Sequence, residues 1–451
     1  TQDQGIAGGT ASVLIVTGEA SGERYAAQVV EAFRRLEAAS ASPADPATAT
    51  HAATATTAGA VPPGDRTAGP IPESRLAVDS ASAASRVEFY GSGGEAMRAA
   101  GVELFADVAR LSAIGPWEAL KLLGDYVRLL RRVLREVRAR GTRLALLVDF
   151  PDFNLILARF LHRQGVTVLY YISPTVWAWR RGRMRTIRRT VRRMLCIFPF
   201  EEPLYREAGI DALYVGHPMM STLPEVEAAD HFRRRLGLAD SEIPIAVLPG
   251  SRHAEIRHIL TPLLEALVRI KAAVPAVRFL VPAASAGIRR DVAAGIDAFF
   301  RQDRAPLAPG DIQLLDGDAT NVLANAQMAI VKSGTSTLQA AIAGTPFVMI
   351  YRANPAMWLL SKVLLSNEYF CIVNLIAGRE VVPELLQDRL NGENLARTFL
   401  TIFTGPDIYT KMQRDLAELK DLFGHRDAPL NVARQLLQML TDPHAPTGGR
   451  P

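Results

Sequence analysis

The sequence has few cysteines and no long apolar run, and each absence excludes a class of protein. Cys196 and Cys371 are the only cysteines, and neither belongs to a CxxC motif or to a paired Cys/His spacing. A disulfide framework and a zinc-finger type of site are therefore excluded, and the chain fits a reducing cytosol. The longest uncharged run, residues 333–351, is interrupted by glycine, threonine, glutamine and proline. It does not predict a membrane-spanning helix.

Aromatic residues are absent between Phe33 and Phe89. Within this gap, residues 39–85 consist largely of alanine, serine, threonine, proline and glycine. Such a composition buries too little apolar surface to offset the entropy that is lost on ordering. We therefore predict a disordered insertion over residues 39–85.

Short apolar strands alternate with helices along the rest of the chain, which is typical of an α/β protein. The predicted strands are at residues 13–17, 87–90, 144–148, 166–171, 194–197, 212–215, 245–248, 277–281, 312–315, 328–331 and 347–351. A chain of 451 residues also exceeds what one hydrophobic core usually fills. We predict two tandem doubly wound, Rossmann-like domains over residues 11–220 and 221–400, with helices over residues 401–440 packing back toward the first domain.

Asp149 and Asp152 directly follow the predicted strand at residues 144–148. Open α/β sheets bind their ligands at the carboxyl ends of the strands, so these carboxylates are candidate catalytic groups. Asp152 is the candidate general base and Asp149 a supporting carboxylate. The alternative is that Asp152 only caps the helix that follows it.

Two glycine-containing turns in the second half each follow a strand and precede a helix. LPGSR places Arg252 at such a turn, and VKSGTS places Ser333, Gly334 and Thr335 at another. Backbone N–H groups, a helix N-terminus and a guanidinium can together hold a diphosphate, although each turn alone is also typical of plain helix capping. The carboxylate pair Asp149 and Asp152 lies in the first half of the chain, which is the wrong unit for holding a metal-bound nucleotide at these turns. We predict no required metal and no cofactor.

A basic and aromatic segment indicates contact with a membrane surface. Trp177 and Trp179 precede eight arginines between residues 180 and 193, beginning with Arg180 and Arg181. Tryptophan favours the bilayer interface, and arginine attracts anionic headgroups. The net charge of +5 also favours anionic partners. A solvated basic helix is the alternative for this segment, and a nucleic-acid-binding protein is the rival interpretation of its charge.

Several motifs occur in one order along the chain: TGEASGE, GSGGEAMRAAG, DFPDFNL, YYISPTVWAWRRGR, CIFPFEEPLY, VGHP, LPGSR, SGTSTLQAAIAGTP, YRANP and NLIAGREVVPELLQ. Together they resemble the lipid-A-disaccharide synthase family, which are inverting glycosyltransferases of the two-domain GT-B type. The resemblance implies a UDP-2,3-diacylglucosamine donor and a 2,3-diacylglucosamine 1-phosphate acceptor. It also implies a cytoplasmic enzyme, peripherally associated with anionic lipids on the inner face of the inner membrane, with no nucleic-acid partner. Acyl-chain preference and oligomeric state stay open.

The same resemblance implies roles for individual residues. Asp152 falls on the aspartate that is thought to be catalytic in the family. Donor contacts are expected from Arg252, Ser333, Gly334, Thr335, Gln339, Arg352, Asn374, Arg379 and Glu380, and acceptor contacts from Glu19, Ser21 and Gly22. For Arg379 and Glu380 the alternative is a surface ion pair, and for the acceptor residues it is ordinary helix entry.

One departure from the family pattern concerns Gln339, which stands where the family usually has glutamate. An amide can still bond the ribose hydroxyls, but without charge. His217 in VGHP is expected to form a structural turn rather than to act in catalysis. The rivals left open are a UDP-sugar epimerase of the same architecture and a catalytically inactive lipid- or nucleotide-binding scaffold.

Overall fold

The computed structural model describes residues 11–18, 20–41, 87–107, 116–174, 182–222, 225–301, 307–353, 369–424 and 426–442. Most of the predicted insertion lies outside these residues. Its first three residues, 39–41, belong to the helix Ala20–Ala41, so the prediction of disorder was wrong for them.

The first sheet has seven parallel strands in the order β3-β2-β1-β4-β5-β6-β7. Its strands are β1 Ala11–Val16, β2 Val87–Gly93, β3 Glu103–Asp107, β4 Leu144–Val148, β5 Thr167–Tyr171, β6 Arg193–Cys196 and β7 Ala212–Tyr214. The order reverses between β1 and β4, which pair directly. A reversal of this kind leaves a crevice at the carboxyl ends of the two strands, where doubly wound proteins bind their ligands.

Helices connect these strands and cover both faces of the sheet. They are α1 Ala20–Ala41, α2 Glu95–Ala99, α3 Pro116–Ala139, α4 Pro151–Arg163, α5 Arg183–Thr190, α6 Glu201–Glu207 and α7 Pro218–Thr222. The strand β4 is buried along its whole length, as expected for a strand that is covered on both faces.

The second sheet has six parallel strands in the order β10-β9-β8-β11-β12-β13. Its strands are β8 Ile243–Leu248, β9 Val277–Ala283, β10 Ile312–Asp316, β11 Met328–Lys332, β12 Phe347–Tyr351 and β13 Glu384–Leu386. Here the order reverses between β8 and β11, which also pair directly. The second unit therefore repeats the plan of the first, and the prediction of two doubly wound α/β units is confirmed.

The helices of the second unit pack on this sheet, apart from the last one. They are α8 Ala229–Leu236, α9 His253–Ala273, α10 Ala286–Phe300, α11 Ala319–Asn325, α12 Thr335–Ala343, α13 Ile372–Ala377, α14 Gly392–Phe403, α15 Pro406–Phe423 and α16 Ala428–Thr441. Apolar residues of α14 and α15 join the core of the second sheet. Those of α16 join the core of the first sheet, beside α1.

Two strands, β3 and β13, were not predicted. Both are edge strands, and neither is buried on both faces. The strand β3 reads ELFAD and is nowhere fully buried, while β13 has only three residues. Because strand prediction relied on apolar runs, it found the central strands and missed these edges.

The two units touch through a small apolar cluster. Met219 of α7 packs with Leu338 and Ile342 of α12 and with Phe423 at the end of α15, and Phe198 lies against them. Near this cluster, the hydroxyl of Tyr214 donates to the carbonyl of Phe423 over 2.8 Å. The helix α12 is therefore in contact with the first unit, and its N-terminus begins at the predicted Ser-Gly-Thr turn.

Candidate functional site

The chain leaves β4 through a strained turn. Asp149 and Phe150 both have positive φ angles, 49° and 51°. Side chains other than glycine rarely adopt this left-handed conformation, and it costs about 1–3 kcal/mol where it is sparsely populated. Such strain persists only where neighbouring groups hold the backbone in place, and it is concentrated at functional sites.

Hydrogen bonds from β5 hold this turn. The N–H of Asp149 donates to the carbonyl of Tyr171 over 2.9 Å, and the hydroxyl of Tyr170 donates to the carbonyl of Asp149 over 2.7 Å. Burial raises the pKa of Tyr170 well above its usual value, so its hydroxyl stays protonated and available as the donor.

A buried amide ties the turn to the neighbouring strand. Asn154, in the first turns of α4, is fully buried. Its Nδ2 donates to the carbonyls of Asp149 at 2.8 Å, Val148 at 3.3 Å and Val16 at 3.4 Å. Val16 ends β1 and Val148 ends β4, so one side chain fixes both strand ends at the reversal point of the sheet.

The packing of Phe150 requires glycine at position 18. A Cβ atom on Gly18 would lie 2.0 Å from the Phe150 ring, so only glycine fits beneath that ring. Phe150 also stacks on Phe153, with a centroid distance of 5.4 Å, and meets Tyr126 edge-on at 5.6 Å. Gly18 of TGEASGE and Phe150 of DFPDFN therefore pack together as one unit.

Asp152 lies in the first turn of α4, and 70% of its side chain is exposed. Its carboxylate forms an ion pair with Arg183, the first residue of α5, whose side chain is 19% exposed. The capping alternative for Asp152 finds no support, because the residue at the N-cap is Phe150 and no side chain caps the helix. The sequence did not indicate the pairing of Asp152 with Arg183, since Arg183 was grouped with the basic segment.

The predicted acceptor wall lies beside this turn. Gly22 of α1 is buried, and a Cβ atom there would lie 3.8 Å from the Cβ of Asp149. Ser21 is half-buried next to it, and Glu19 lies outside the described residues. Glu23, which was not singled out, accepts a hydrogen bond from the N–H of Ala96 over 2.7 Å and so fixes the start of α2.

On the second sheet, the predicted diphosphate turns follow the paired strands β8 and β11. Gly250 and Gly334 have φ angles of 131° and 146°, which side-chain-bearing residues rarely adopt. Arg252 is the N-cap residue of α9, and 69% of its side chain is exposed. Gly334 and Thr335 are exposed at the start of α12. Two helix N-termini and one largely exposed guanidinium, which lies 3.6 Å from the carboxylate of Glu255, thus lie at the carboxyl edge of this sheet.

Three further residues of the predicted donor site, Ser333, Gln339 and Arg352, lie on different elements of the second unit. Ser333 and Gln339 are half-buried, the first in the turn after β11 and the second along α12. Arg352 follows β12, and its guanidinium donates to the carbonyl of Leu390 at 2.7 Å and to that of Gln387 at 3.1 Å. Its charge therefore anchors the segment after β13.

Asn374 does not reach into a cleft. It is fully buried, and its Oδ1 accepts from the N–H groups of Val381 at 2.8 Å and Val382 at 3.0 Å. Its Nδ2 donates to the carbonyl of Val382 and to Glu384. These partners lie in the loop that leads into β13 and at the first residue of that strand, so Asn374 holds this segment in place, and its contact with a donor stays a prediction.

Arg379 and Glu380 precede β13 and so lie toward the amino ends of the strands, away from the diphosphate turns. Arg379 pairs with Asp415 at 2.7 Å and is 45% exposed. Glu380 lines a groove of about 440 Å³ between α14 and α15. Arg379 thus forms a surface ion pair with a residue of α15, and its contact with the donor stays a prediction.

His217 occupies the boundary between the units. It is buried between the rings of Phe198 and Phe423, at centroid distances of 5.3 and 5.9 Å, and its Nδ1 accepts from the N–H of Met219. Burial lowers the pKa of His217 to about 3. A neutral, enclosed imidazole agrees with the expected structural turn.

The predicted membrane-facing residues Trp177, Trp179, Arg180 and Arg181 lie outside the described residues. No described helix combines the length and the apolar character that crossing a bilayer requires. Within the described ranges, no group of three or more His, Cys, Asp or Glu side chains could hold a metal ion.

Comparisons with known proteins identify a family whose sequences this chain resembles. The sequence model of the family described as lipid-A-disaccharide synthetase matches residues 68–426. A lipid-A-disaccharide synthase from Solibacter usitatus is 36% identical over 430 residues, covering 95% of this chain and 97% of the relative. The enzyme of that name from Myxococcus xanthus is 38% identical over 352 residues, covering 78% of this chain and 90% of the relative.

Solved structures show a likeness of fold. The UDP-GlcNAc 2-epimerase from Neisseria meningitidis, bound to UDP-GlcNAc, superposes with a TM-score of 0.57 at 10% identity, covering 95% of this chain and all of the other. The N-terminal domain of the Candida albicans trehalose-6-phosphate phosphatase gives a TM-score of 0.52 at 8% identity, with 98% of each chain covered. At such identities the likeness concerns the fold alone, and the predicted GT-B class of fold is confirmed.

Proposed function

The chain belongs to the lipid-A-disaccharide synthase family, and on that premise we propose its reaction and the role of each unit. The chain transfers the diacylglucosaminyl group of UDP-2,3-diacylglucosamine to 2,3-diacylglucosamine 1-phosphate. A hydroxyl oxygen of the acceptor attacks the anomeric carbon, the bond from that carbon to the UDP oxygen breaks, and UDP leaves with its electron pair. The hydroxyl proton passes to the enzyme, and the product is lipid A disaccharide 1-phosphate.

Asp152 is the proton acceptor in this proposal. The observation that supports it is the strained turn at Asp149 and Phe150, which the buried amide of Asn154 ties to two strand ends. The turn starts α4 at a fixed place, and Asp152 projects from the first turn of that helix with an exposed carboxylate. A base held rigidly and open to the crevice is what an inverting transfer needs.

Asp149 supports this base, and Ser21 and Gly22 line the acceptor side. Glu19, which lies outside the described residues, is proposed for that side from the sequence alone. Gly22 and Asp149 are neighbours, since a Cβ atom on Gly22 would lie at an ordinary van der Waals distance of 3.8 Å from the Cβ of Asp149, and this favours a shared wall for the acceptor sugar. Arg183 contacts Asp152 and orients its carboxylate in the free enzyme.

The UDP diphosphate is held by the second unit in this proposal. Arg252 contributes charge, and the turn at Ser333, Gly334 and Thr335 contributes backbone N–H groups at the start of α12. These groups stabilise the negative charge that develops on the departing UDP, so the leaving group needs no metal ion. Gln339 forms hydrogen bonds to the ribose. Arg352 and Asn374 hold the backbone segments on either side of β13 in place.

The acylated substrates place this reaction at a lipid surface, and we propose peripheral binding to the inner face of the inner membrane. Arginines of α5 and the segment with Trp177, Trp179, Arg180 and Arg181 attract anionic headgroups. Binding to vesicles containing phosphatidylglycerol, compared with neutral vesicles, tests this part. Equal binding to both would contradict it.

The epimerase alternative is not favoured. Likeness to a UDP-GlcNAc 2-epimerase rests on fold at 10% identity, whereas the lipid-A-disaccharide synthases are 36% and 38% identical over most of the chain. A mass-spectrometric assay with both acylated substrates, with and without a chelator, tests the reaction. We expect the disaccharide 1-phosphate and UDP in both conditions. Epimerised UDP-sugar formed without acceptor, or no product at all, would contradict the proposal.

A further inference from the structure

A nearly buried ion pair joins the two diphosphate turns. The Nζ of Lys332 lies 2.6 Å from the Oε1 of Glu255, and the two side chains are only 13% and 12% exposed. Lys332 is the last residue of β11, and Glu255 lies in the first turn of α9. The pair therefore spans the carboxyl ends of the two strands at the reversal point of the second sheet.

The carboxylate of Glu255 also contacts the turn after β8. Its Oε2 accepts from the N–H of Ser251 over 3.3 Å, and Arg252 approaches Oε1 at 3.6 Å. A Cβ atom on Gly250 would lie 2.7 Å from Oε2, so the backbone passes closely over the carboxylate.

The ammonium of Lys332 lies near the turn after β11. It would lie 3.9 Å from a Cβ atom on Gly334, and it lies 5.6 Å from the centroid of the Tyr351 ring. The ion pair thus bonds the turn after β8 through Ser251 and lies beside the turn after β11, which begins directly after Lys332. Neither sequence pattern nor family resemblance had drawn attention to it.

We propose that Lys332 and Glu255 are positioning residues that hold the two diphosphate turns at a fixed separation. The inference rests on the proposed function, because it assigns these turns to UDP. A carboxylate beside a diphosphate would repel it, and Lys332 neutralises that carboxylate. Arg252 and the two helix N-termini are then left to act on the phosphates. Breaking one side of a nearly buried pair leaves an uncompensated charge, which moves the turns.

The test compares UDP with UMP by isothermal titration calorimetry. We expect Lys332→Met to weaken UDP binding about tenfold, which corresponds to about 1.4 kcal/mol, and to weaken UMP binding less. The affinity for UDP falls more than that for UMP, because UDP has a second phosphate and both turns must contact the diphosphate together. Lys332→Arg keeps the charge and is expected to restore most of the UDP affinity.

The matched control is Lys271→Met. Lys271 pairs with Asp311 at 2.9 Å with similar exposure, 16% and 17%, but at the amino edge of the same sheet. Its loss is expected to leave UDP and UMP affinity within about twofold, since distant sites act independently. If Lys332→Met does not fold, Lys332→Met combined with Glu255→Gln removes both charges, and it is expected to show the same preferential loss of UDP.

The outcomes separate the inference from the proposed function. A wild type that does not bind UDP overturns both. A wild type that binds UDP, together with folded variants that bind it equally well, overturns the inference alone. So does an equal loss of UDP and UMP affinity, which would indicate general damage rather than a displaced diphosphate site.

Discussion

Apart from the additional edge strand β7 of the first sheet, the two sheets share one strand order, yet the turns at their reversal points are built differently. After β4 of the first sheet, the left-handed conformations belong to Asp149 and Phe150, which bear side chains. After β8 and β11 of the second sheet, the positive φ angles belong to Gly250 and Gly334. The first turn holds its strain through Asn154 and Tyr170, whereas glycine makes the second pair of turns without strain.

Under the proposed function, this difference follows from two kinds of chemistry. Proton transfer needs a side chain held at one place, so the first unit keeps side chains at its turn, and hydrogen bonds from Asn154 and Tyr170 fix the backbone there. Binding a diphosphate needs close approach of the ligand to backbone N–H groups, so the second unit removes side chains at its turns. We therefore expect substitutions in the first unit to lower turnover and substitutions in the second to lower UDP affinity.

The largest expected effect is that of Asp152→Asn, which keeps the shape of the side chain and removes the base. Turnover is expected to fall about 1,000-fold, in the range seen for general bases, with the UDP dissociation constant unchanged. Asp125→Asn, on the exposed face of α3, is the matched control and should leave turnover intact. Normal turnover in Asp152→Asn would remove this residue from the reaction.

The second prediction compares two glycines of one motif. In Gly18→Ala the new Cβ atom would meet the Phe150 ring at 2.0 Å, while in Gly22→Ala the nearest atoms lie at an ordinary 3.8 Å. Displacing Phe150 moves the turn that carries Asp152, so we expect Gly18→Ala to lower turnover about 100-fold. Steady-state kinetics of both variants check this. Similar activity in the two variants would break the proposed link between Gly18 and the base.

Gly334→Ala makes the corresponding test in the second unit. An alanine at a φ of 146° is strained, so the turn is expected to shift and UDP affinity to fall about tenfold. Gly237→Ala strains a left-handed glycine at the end of α8, remote from the turns, and serves as the control. Both variants should lose thermal stability, but only Gly334→Ala should lose UDP binding by calorimetry. Equal UDP affinities would count against the diphosphate turn.

The last prediction concerns stability rather than catalysis or UDP binding, at the boundary between the two regions. Burial lowers the pKa of His217 from 6.5 to about 3, so the unfolded chain takes up a proton below pH 6.5 while the folded protein does not. Stability is therefore lost as the pH falls from 6.5 toward 3, by up to about 1.4 kcal/mol per pH unit. His217→Gln should flatten this slope in denaturant unfolding between pH 7 and pH 5. An unchanged slope would contradict a neutral His217.

Much of the fold could be predicted because it rests on local patterns. The central strands are apolar runs, and β4 and β12 were predicted with the bounds they have. The edge strands β3 and β13 lack such runs and were missed. The strain at Asp149 and Phe150 could not be predicted, since no glycine marks it and Asn154 imposes it through a strand 138 residues away.

The candidate site was predictable where its residues follow strands and unpredictable where partners come from distant segments. Asp152, Arg252 and Gly334 lie at the carboxyl ends that the strand pattern indicated. The pairing of Arg379 with Asp415 could not be predicted, because Asp415 lies on a helix 36 residues later. Lys332 and Glu255 are 77 residues apart in the sequence, and no local sequence pattern around either residue predicts that they pair.

A crystal structure of the enzyme with UDP tests the division of labour between the two units most directly. Our account predicts the diphosphate against Arg252 and the turn at Gly334, with the carboxylate of Asp152 facing it from the other side of the crevice. A diphosphate bound on the first sheet, or one bound as expected with Asp152 turned away from it, would contradict the account.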